Sequence, residues 1–371
     1  MDRYDVLVIG AGPAGVTAAL RASELGAKVG LVERKWMGGT CSNDGCVPTR
    51  VLAKTARLLR ETEHFGNYGL RGQRPRLDFA KLIDYTRGIV QATLEKKQID
   101  HHLDKAKVKV FGKAGPVRFL DDHTLSLGNG GSLRGEKIII CAGGHSRRIS
   151  FPGSDLPGIL THSDVWGLKK MPRSVAVVGA AATGCQVASM LNAFGAQVWL
   201  LEVAPRILTI EDPIISDVVT ESFRRNGIQV TTGMKGLDRI ERGESKGQLK
   251  LWYTHQDQQH SVAVDAVLLA VGWVGNVEDL NLAAAGVKAE RGYIVVNDQL
   301  QTSVPHILAA GDITGRVMLV QTANYDGRLA AENAVLGKGH SYVHRIVPHG
   351  GFTDPDYGGV GFTEEQARAK E

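Results

Sequence analysis

The feature that most constrains this chain is a unit that occurs twice. Residues 4–34, YDVLVIGAGPAGVTAALRASELGAKVGLVER, read as an apolar strand, a glycine turn, a helical stretch and a second apolar strand ending in an acid. Residues 173–203, RSVAVVGAAATGCQVASMLNAFGAQVWLLEV, repeat the plan. At one constant offset Gly10 matches Gly179, Gly15 matches Gly184, Gly26 matches Gly195 and Glu33 matches Glu202. A strand, a tight glycine turn and a helix in that order make a βαβ dinucleotide-binding unit. The expected fold class is therefore α/β, with two doubly wound Rossmann-like domains.

The chemistry of each unit follows from its shape. The first glycine permits the tight turn, the second lets the backbone approach a pyrophosphate, and the third allows close helix–sheet packing. A diphosphate then sits on the helix N-terminus, where N–H groups and the dipole favour negative charge. The acid ending the second strand reaches the ribose hydroxyls. Gly10-Ala11-Gly12-Pro13-Ala14-Gly15 meets the G-x-G-x-x-G pattern in full. In the second copy Ala181 stands at the middle glycine, and its Cβ is expected to crowd the pyrophosphate. That copy reads either as a weakened site or as a unit that kept its fold and lost its ligand. Glu202 favours NADH over NADPH, because a carboxylate repels a 2′-phosphate. Two nucleotides in one chain suggest electron transfer between them.

Composition narrows the class. Hydrophobic residues at 43% and charged residues at 22% are ordinary for a globular protein. The 45 glycines in 371 residues follow no triplet period, which excludes collagen. No apolar run is long enough for a membrane span, and MDRYDVLVIG carries no secretory pattern, so a cytoplasmic location is expected. The net charge of +5 comes without a large basic cluster, the densest runs being Arg71–Arg76 and Arg147–Arg148. A nucleic-acid partner is therefore not expected.

Directly after the first unit comes Met37-Gly38-Gly39-Thr40-Cys41-Ser42-Asn43-Asp44-Gly45-Cys46-Val47-Pro48-Thr49-Arg50. On a regular helix two cysteines at this spacing point about 140° apart and lie ~7.5 Å apart along the axis. The intervening Asn-Asp-Gly can break that regularity and let the sulfurs meet. Zinc would need two more ligands at short spacing, and none is near. With 4 cysteines in the whole chain, a disulfide scaffold does not fit either. A redox-active dithiol at a helix start fits best. Cys141 and Cys185 lie in apolar segments and read as buried structural thiols.

With these residues in place, the chain resembles the class I pyridine nucleotide–disulfide oxidoreductases, the family of dihydrolipoamide dehydrogenase, glutathione reductase and mercuric reductase. The likeness rests on GGTC-x4-C-x-P at 38–48, on Ala270-Val271-Gly272-Trp273-Val274-Gly275-Asn276 and on Ile307-Leu308-Ala309-Ala310-Gly311-Asp312. Phe352-Thr353-Asp354-Pro355 and Val360–Glu364 resemble the opening of the family's C-terminal interface domain. The resemblance implies a glutathione-reductase-like architecture with FAD in residues 1–150 and 272–345 and NAD(P) in 151–271. Residues 346–371 would begin an α+β dimerisation domain. It implies FAD on the first unit, with Gly10, Gly12, Pro13, Ala14, Gly15, Arg34, Ala114 and Gly311 around it. Glu33 would meet the adenosine ribose, Gly39 and Thr40 the diphosphate, and Asp312 the ribitol. NAD(H), with NADP(H) less favoured, would meet Gly179, Gly184 and Glu202, and Gly272 is a further cofactor-binding candidate. Cys46 would face the flavin and Cys41 would exchange with a disulfide-type or other small-molecule substrate. A metal-ion reductase and a non-turning redox-sensing flavoprotein are the alternatives. The full-length family form is a homodimer.

Several positions depart from the family. Arg50 and Gln186 stand where relatives pair a lysine with a glutamate near the flavin, and an under-neutralised cation there is expected to raise the flavin potential. Gly143 replaces a threonine, and Trp273 and Gly275 replace an arginine and a proline at what reads as the NAD-side junction. The family's histidine–glutamate acid–base pair has no counterpart among the 12 histidines, with His340, His344 and His349 standing before or at the first interface strand. The chain is shorter than the family, so either a C-terminal portion is absent from it or the molecule is not a complete disulfide reductase. Residues 78–106 read as one long charged helix, with His101-His102 as solvated surface, and 235–262 as a hairpin or meander. No metal site is expected.

Overall fold

The computed structural model describes residues 2–337, 339–343 and 346–370; His344 lies outside them. The chain divides into two compact units: Met1–Val47, Val90–His145 and Trp273–Val347 in one, and Pro48–Ile89, Ser146–Gly272 and Pro348–Glu371 in the other.

The first unit is built on a seven-stranded sheet. Its strands in chain order are β1 (Asp2–Ile9), β2 (Val29–Val32), β3 (Lys109–Phe111), β4 (Val117–Phe119), β5 (Thr124–Leu127) and β6 (Ser132–Ile140), with a last strand Ile307–Ala309. The order is β3-β2-β1-β6-β5-β4. β6 is long enough to serve two neighbours along one edge. Its first residues pair antiparallel with β5, and Ile138–Ile140 pair parallel with Ile307–Ala309. Strands covered on both faces need apolar side chains pointing both ways. Val6–Ile9, Val29–Val32 and Ile138–Ile140 accordingly run without a polar break, and all are buried. Helices Pro13–Glu24 and Val320–Leu336 cover one face, and each turns alanines to the core: Ala18, Ala19 and Ala22 on the first, Ala330, Ala331 and Ala334 on the second. They pack at backbone contact, since a Cβ on Gly327 would fall 2.1 Å from the Ala14 carbonyl oxygen.

The second unit carries a five-stranded parallel sheet. Its order is Gln229–Thr231, Gln197–Leu201, Ser174–Val178, Ala266–Leu269, Ile159–Leu160. Beside it lies an antiparallel meander, Gly236–Arg242, Leu249–His255 and Gln258–Val264, in the stretch where alternation points to one. Leu52 and Ala56 of helix Cys46–Glu61, with Phe79, Leu82 and Ile83, join Val187, Met190 and Leu191 in this unit's core. Residues 48–89 therefore group here, although chain continuity suggests the first domain. The apolar stripe Leu52, Ala56, Leu59, spaced for one helix face, is what carries them over. Residues from Pro348 onward also group here: the Ser222 hydroxyl donates to the Asp354 carbonyl at 2.6 Å, and the Glu364 amide to Asp212 Oδ1 at 2.8 Å.

The expected single helix over 78–106 is two, Phe79–Lys97 and Ile99–Lys105. Gln98 breaks it with a left-handed φ of 44°. The turn lets Leu103 enter the first unit's core, fully buried, while His101 and His102 stay exposed. Among the described residues no helix is long and apolar enough to cross a membrane.

Candidate functional site

The two glycine loops have the same construction. Gly10 and Gly179 adopt φ of +100° and +96°, and a Cβ on either would press to within 2.4 Å of the carbonyl oxygen of Cys141 or Ala270 in the adjacent strand. Gly15 and Gly184 each lie so close to their first glycine that a Cβ would fall 1.8 Å from its carbonyl oxygen. Gly12 and Ala181 precede the helices with nearly identical extended backbones (φ −74° and −75°) and no side-chain cap. Ala181 thus costs the fold nothing. At Gly12 an added Cβ would find nothing nearer than Gly39 Cα at 3.7 Å, so protein atoms do not crowd this position. Uncapped N–H groups at such a helix start are the donors a diphosphate needs.

The acids close each loop. Glu33, buried at the end of β2, accepts the Ala11 amide at 2.8 Å and the Lys35 amide at 2.7 Å, one on each oxygen. Glu202 accepts the Ala180 amide at 2.5 Å and the Ala204 amide at 2.8 Å. Each carboxylate oxygen keeps a lone pair for a ribose hydroxyl. Arg34 is exposed and faces Asp279 at 3.7 Å. Ala114 is wholly buried and meets the loop only through its backbone, donating to the Glu33 carbonyl at 2.9 Å. In the second unit the Gly272 carbonyl, at a residue with φ of +117°, accepts the Arg147 amide at 3.0 Å.

The segment after β2 folds back on the first loop. The Gly38 amide donates to the Ala11 carbonyl at 2.9 Å, and a Cβ on Gly39 would strike Gly12 Cα at 2.6 Å. The Asn43 amide group ties the segment by donating to the Met37 and Gly39 carbonyls, and Lys97 donates to Ser42 at 2.7 Å. Asn43 and Lys97 are not singled out by sequence reasoning; Asn43 sits inside the cysteine motif, whereas nothing in the sequence links Lys97 to it. Gly311, at φ +78°, approaches Ala14, so a Cβ there would be 3.1 Å from Ala14 Cβ. Burial raises the Asp312 carboxyl pKa, and the nearby Trp273 side chain offsets part of that rise. The Tyr293 hydroxyl donates to the Trp273 carbonyl and steadies it. Trp273 groups with the first unit, as Asp312 does, at the point where the chain leaves the second. A Cβ on Gly144 would lie 2.3 Å from the indole nitrogen, which is why the neighbouring loop is glycine.

The cysteine motif breaks where Asn-Asp-Gly stands. A short helix Gly39–Asn43 holds Cys41 and Thr40, Asp44 leaves helical geometry, and Cys46 opens helix Cys46–Glu61. Cys41 is half-buried and Cys46 exposed. Cys141 and Cys185 are buried, and burial pushes both thiols well above the ordinary range. Arg50, exposed on the same helix, lies 5.6 Å over the Phe352 ring. Gln186 is engaged at both ends, donating to the Ala182 carbonyl at 2.9 Å and accepting the Phe352 amide at 3.0 Å.

The sequence model described as pyridine nucleotide-disulphide oxidoreductase matches residues 4–327. The chain belongs to this family. Among relatives of this pyridine nucleotide-disulphide oxidoreductase is a mercuric reductase of Staphylococcus aureus, 33% identical across 99% of this chain and 66% of its own length. A dihydrolipoyl dehydrogenase of Zymomonas mobilis is 33% identical over 99% of this chain and 78% of its own. Among solved structures, the HOCl-induced flavoprotein disulfide reductase RclA from Escherichia coli superposes with a TM-score of 0.85 at 29% identity, covering 99% of this chain and 79% of that one. The chain thus spans just under two thirds of the length of the mercuric reductases it matches. The family joins a flavin and a pyridine nucleotide to oxidoreductase chemistry.

Proposed function

We propose that the full protein is an FAD-dependent oxidoreductase that carries electrons from NADH through Cys41 and Cys46 to a disulfide-type acceptor. The contrast among the four cysteines carries this reading. Two are buried with thiols that resist ionisation, while Cys46 is exposed and opens a helix, with Cys41 close by in sequence. A thiolate is favoured at a helix N-terminus and disfavoured in an apolar core.

FAD, when bound, supplies the relay that takes the electron pair of NADH and delivers it to sulfur. The chain's residues supply the rest. The uncapped N-terminus of Pro13–Glu24 holds the diphosphate, Glu33 orients the adenosine ribose, and Asp312, tuned by Trp273, holds the ribitol. In the second unit Gly179 and Gly184 shape the nucleotide turn and Glu202 takes the NADH ribose. Arg206 gives its guanidinium to the carbonyls of Leu208, Thr209 and Glu211, which leaves Glu202 to oppose a 2′-phosphate and supports NADH over NADPH. Two electrons and two protons convert the Cys41–Cys46 disulfide to two thiols while NADH becomes NAD+. The Cys41 thiolate then attacks the acceptor disulfide and releases one acceptor thiol. Cys46 resolves the mixed disulfide, releases the second thiol and restores the pair. In its full-length form the protein would work as a homodimer, which light scattering tests.

Anaerobic titration with NADH, followed in the visible, tests the reading. Bleaching of the flavin with a long-wavelength thiolate–flavin band supports it, and an oxidised spectrum unmoved by NADH contradicts it. The likeness to mercuric reductases favours metal-ion reduction as a second reading. Mercuric-ion-dependent NADH oxidation without disulfide-dependent turnover would select it.

A further inference from the structure

We propose that Asp122, His123 and His306 form a binding site for a divalent transition-metal ion of the zinc class, at the end of the first unit remote from its glycine loop. The placement follows from the sheet. Gly10 leaves the carboxyl end of β1, whereas His306 precedes the amino end of strand Ile307–Ala309, which runs parallel to β6 as β1 does. Asp122 and His123 occupy the turn between β4 and β5. One ligand atom from each of the three side chains falls within 4.8 Å of the other two.

The hydrogen bonds around the two imidazoles point to a ligand. His123 Nδ1 lies 2.7 Å from the Gly135 carbonyl oxygen, and His306 Nε2 lies 3.0 Å from the Asp122 carbonyl oxygen. A carbonyl only accepts, so each of these nitrogens carries the proton and the other nitrogen of each ring is left with a lone pair. A ring whose second nitrogen donates to a backbone carbonyl is the usual arrangement of a metal-ligating histidine. The main chain holds both residues in place: Gly135 donates to the His123 carbonyl at 2.9 Å, and Ile138 to the His306 carbonyl at 3.1 Å.

Two neutral imidazoles and a carboxylate suit a borderline ion such as Zn2+, with water completing the shell. The rings now stack, with centroids 4.0 Å apart and planes 7° from parallel. The Asp122 carboxylate lies 3.7 Å from His306 Nε2, the protonated nitrogen, so binding must separate the rings and swing the carboxylate round towards Nδ1. Asp122 is exposed on a turn and His123 and His306 are half-buried, so that adjustment needs only side-chain rotation. A bound ion would tie the β4–β5 hairpin to the segment entering the last strand of the sheet.

Calorimetric titration of the FAD-loaded chain with Zn2+ tests this, in a Cys41→Ser/Cys46→Ser background that removes competing thiols. The expected result is one ion per chain and a raised melting temperature. Affinity should fall at least about tenfold in His306→Gln and in Asp122→Ala and stay unchanged in His101→Gln. His306→Gln retains an amide donor for the Asp122 carbonyl, and Asp122→Ala alters only an exposed side chain, so either can decide the matter alone. Absence of binding, or binding that survives both substitutions, would overturn the site and leave the stack as a hydrogen-bonded clasp.

Discussion

Glu202 accepts the Ala180 amide in the second unit at 2.5 Å, as Glu33 accepts the Ala11 amide in the first at 2.8 Å. Each acid thereby reaches back from the second strand to pin the loop that starts its own helix. In the proposed function the same carboxylate would meet a ribose, so recognition of the sugar and the shape of the glycine loop would be coupled.

That coupling makes Glu202→Gln more than the loss of a ribose contact. The amide keeps one acceptor but sets an NH2 group against a backbone N–H, at a cost of about 1–3 kcal/mol. NADH affinity should fall roughly tenfold or more, with a smaller loss for NADPH. Equilibrium titration with both nucleotides measures it, and an unchanged NADH-to-NADPH preference would contradict the role given to Glu202.

The glycines separate folding from binding. Gly15→Ala places a Cβ 1.8 Å from the Gly10 carbonyl oxygen, so the unit should lose several kcal/mol and express poorly. Gly12→Ala meets nothing nearer than 3.7 Å, so the apoprotein should keep its far-UV spectrum and melting behaviour while FAD binding weakens without being abolished, since the proposed NADH unit carries Ala181 at the same place. Unchanged FAD affinity in Gly12→Ala would place the diphosphate elsewhere.

Trp273 is a positioning residue for Asp312. Trp273→Phe preserves most of the ring but removes the donor that offsets burial, so the Asp312 carboxyl should rise further. The loss is about 1 kcal/mol, or roughly fivefold in the FAD dissociation constant. Flavin fluorescence during apoprotein titration reads this, with unaltered affinity as the contrary result.

Stability should decline in alkali. Burial pushes the Cys141 and Cys185 thiols up and raises Tyr342 to about 12. In the unfolded chain thiols ionise near pH 8.5 and tyrosines near 10, while the folded groups keep their protons. Their contribution is therefore complete below about pH 8.5 and is lost as pH rises. The melting temperature should fall from about pH 9 upward, and Cys141→Ala/Cys185→Ala should show a shallower fall.

Much of this arrangement is legible in the chain because each feature is local. A glycine at a fixed place in a strand–turn–helix leaves its mark within a few residues, and so does the Asn-Asp-Gly that divides two helices. Spacing marks Glu33 as the acid that goes with the Gly10 loop, but its bond to the Ala11 amide is visible only in the fold. What stays hidden depends on elements distant in sequence. Trp273 is visible as a departure from the family, but its influence on Asp312 requires the fold. His123 and His306 stack although nearly half the chain separates them. The break at Gln98 serves Leu103, whose core is assembled from strands and helices on both sides of it in the chain. Residues 48–89 pack by an apolar stripe that shows which face is buried and not which unit buries it.

The central claim is that Cys41 and Cys46 form a second electron-accepting centre beside the flavin. Anaerobic stoichiometric titration with NADH, comparing the parent protein with Cys46→Ser, tests it most directly. The parent should take up an additional electron pair beyond the one that the flavin accepts, and should then show two thiols that react with a disulfide reagent. Cys46→Ser should stop after the flavin's pair. Equal uptake by the two proteins would contradict the account.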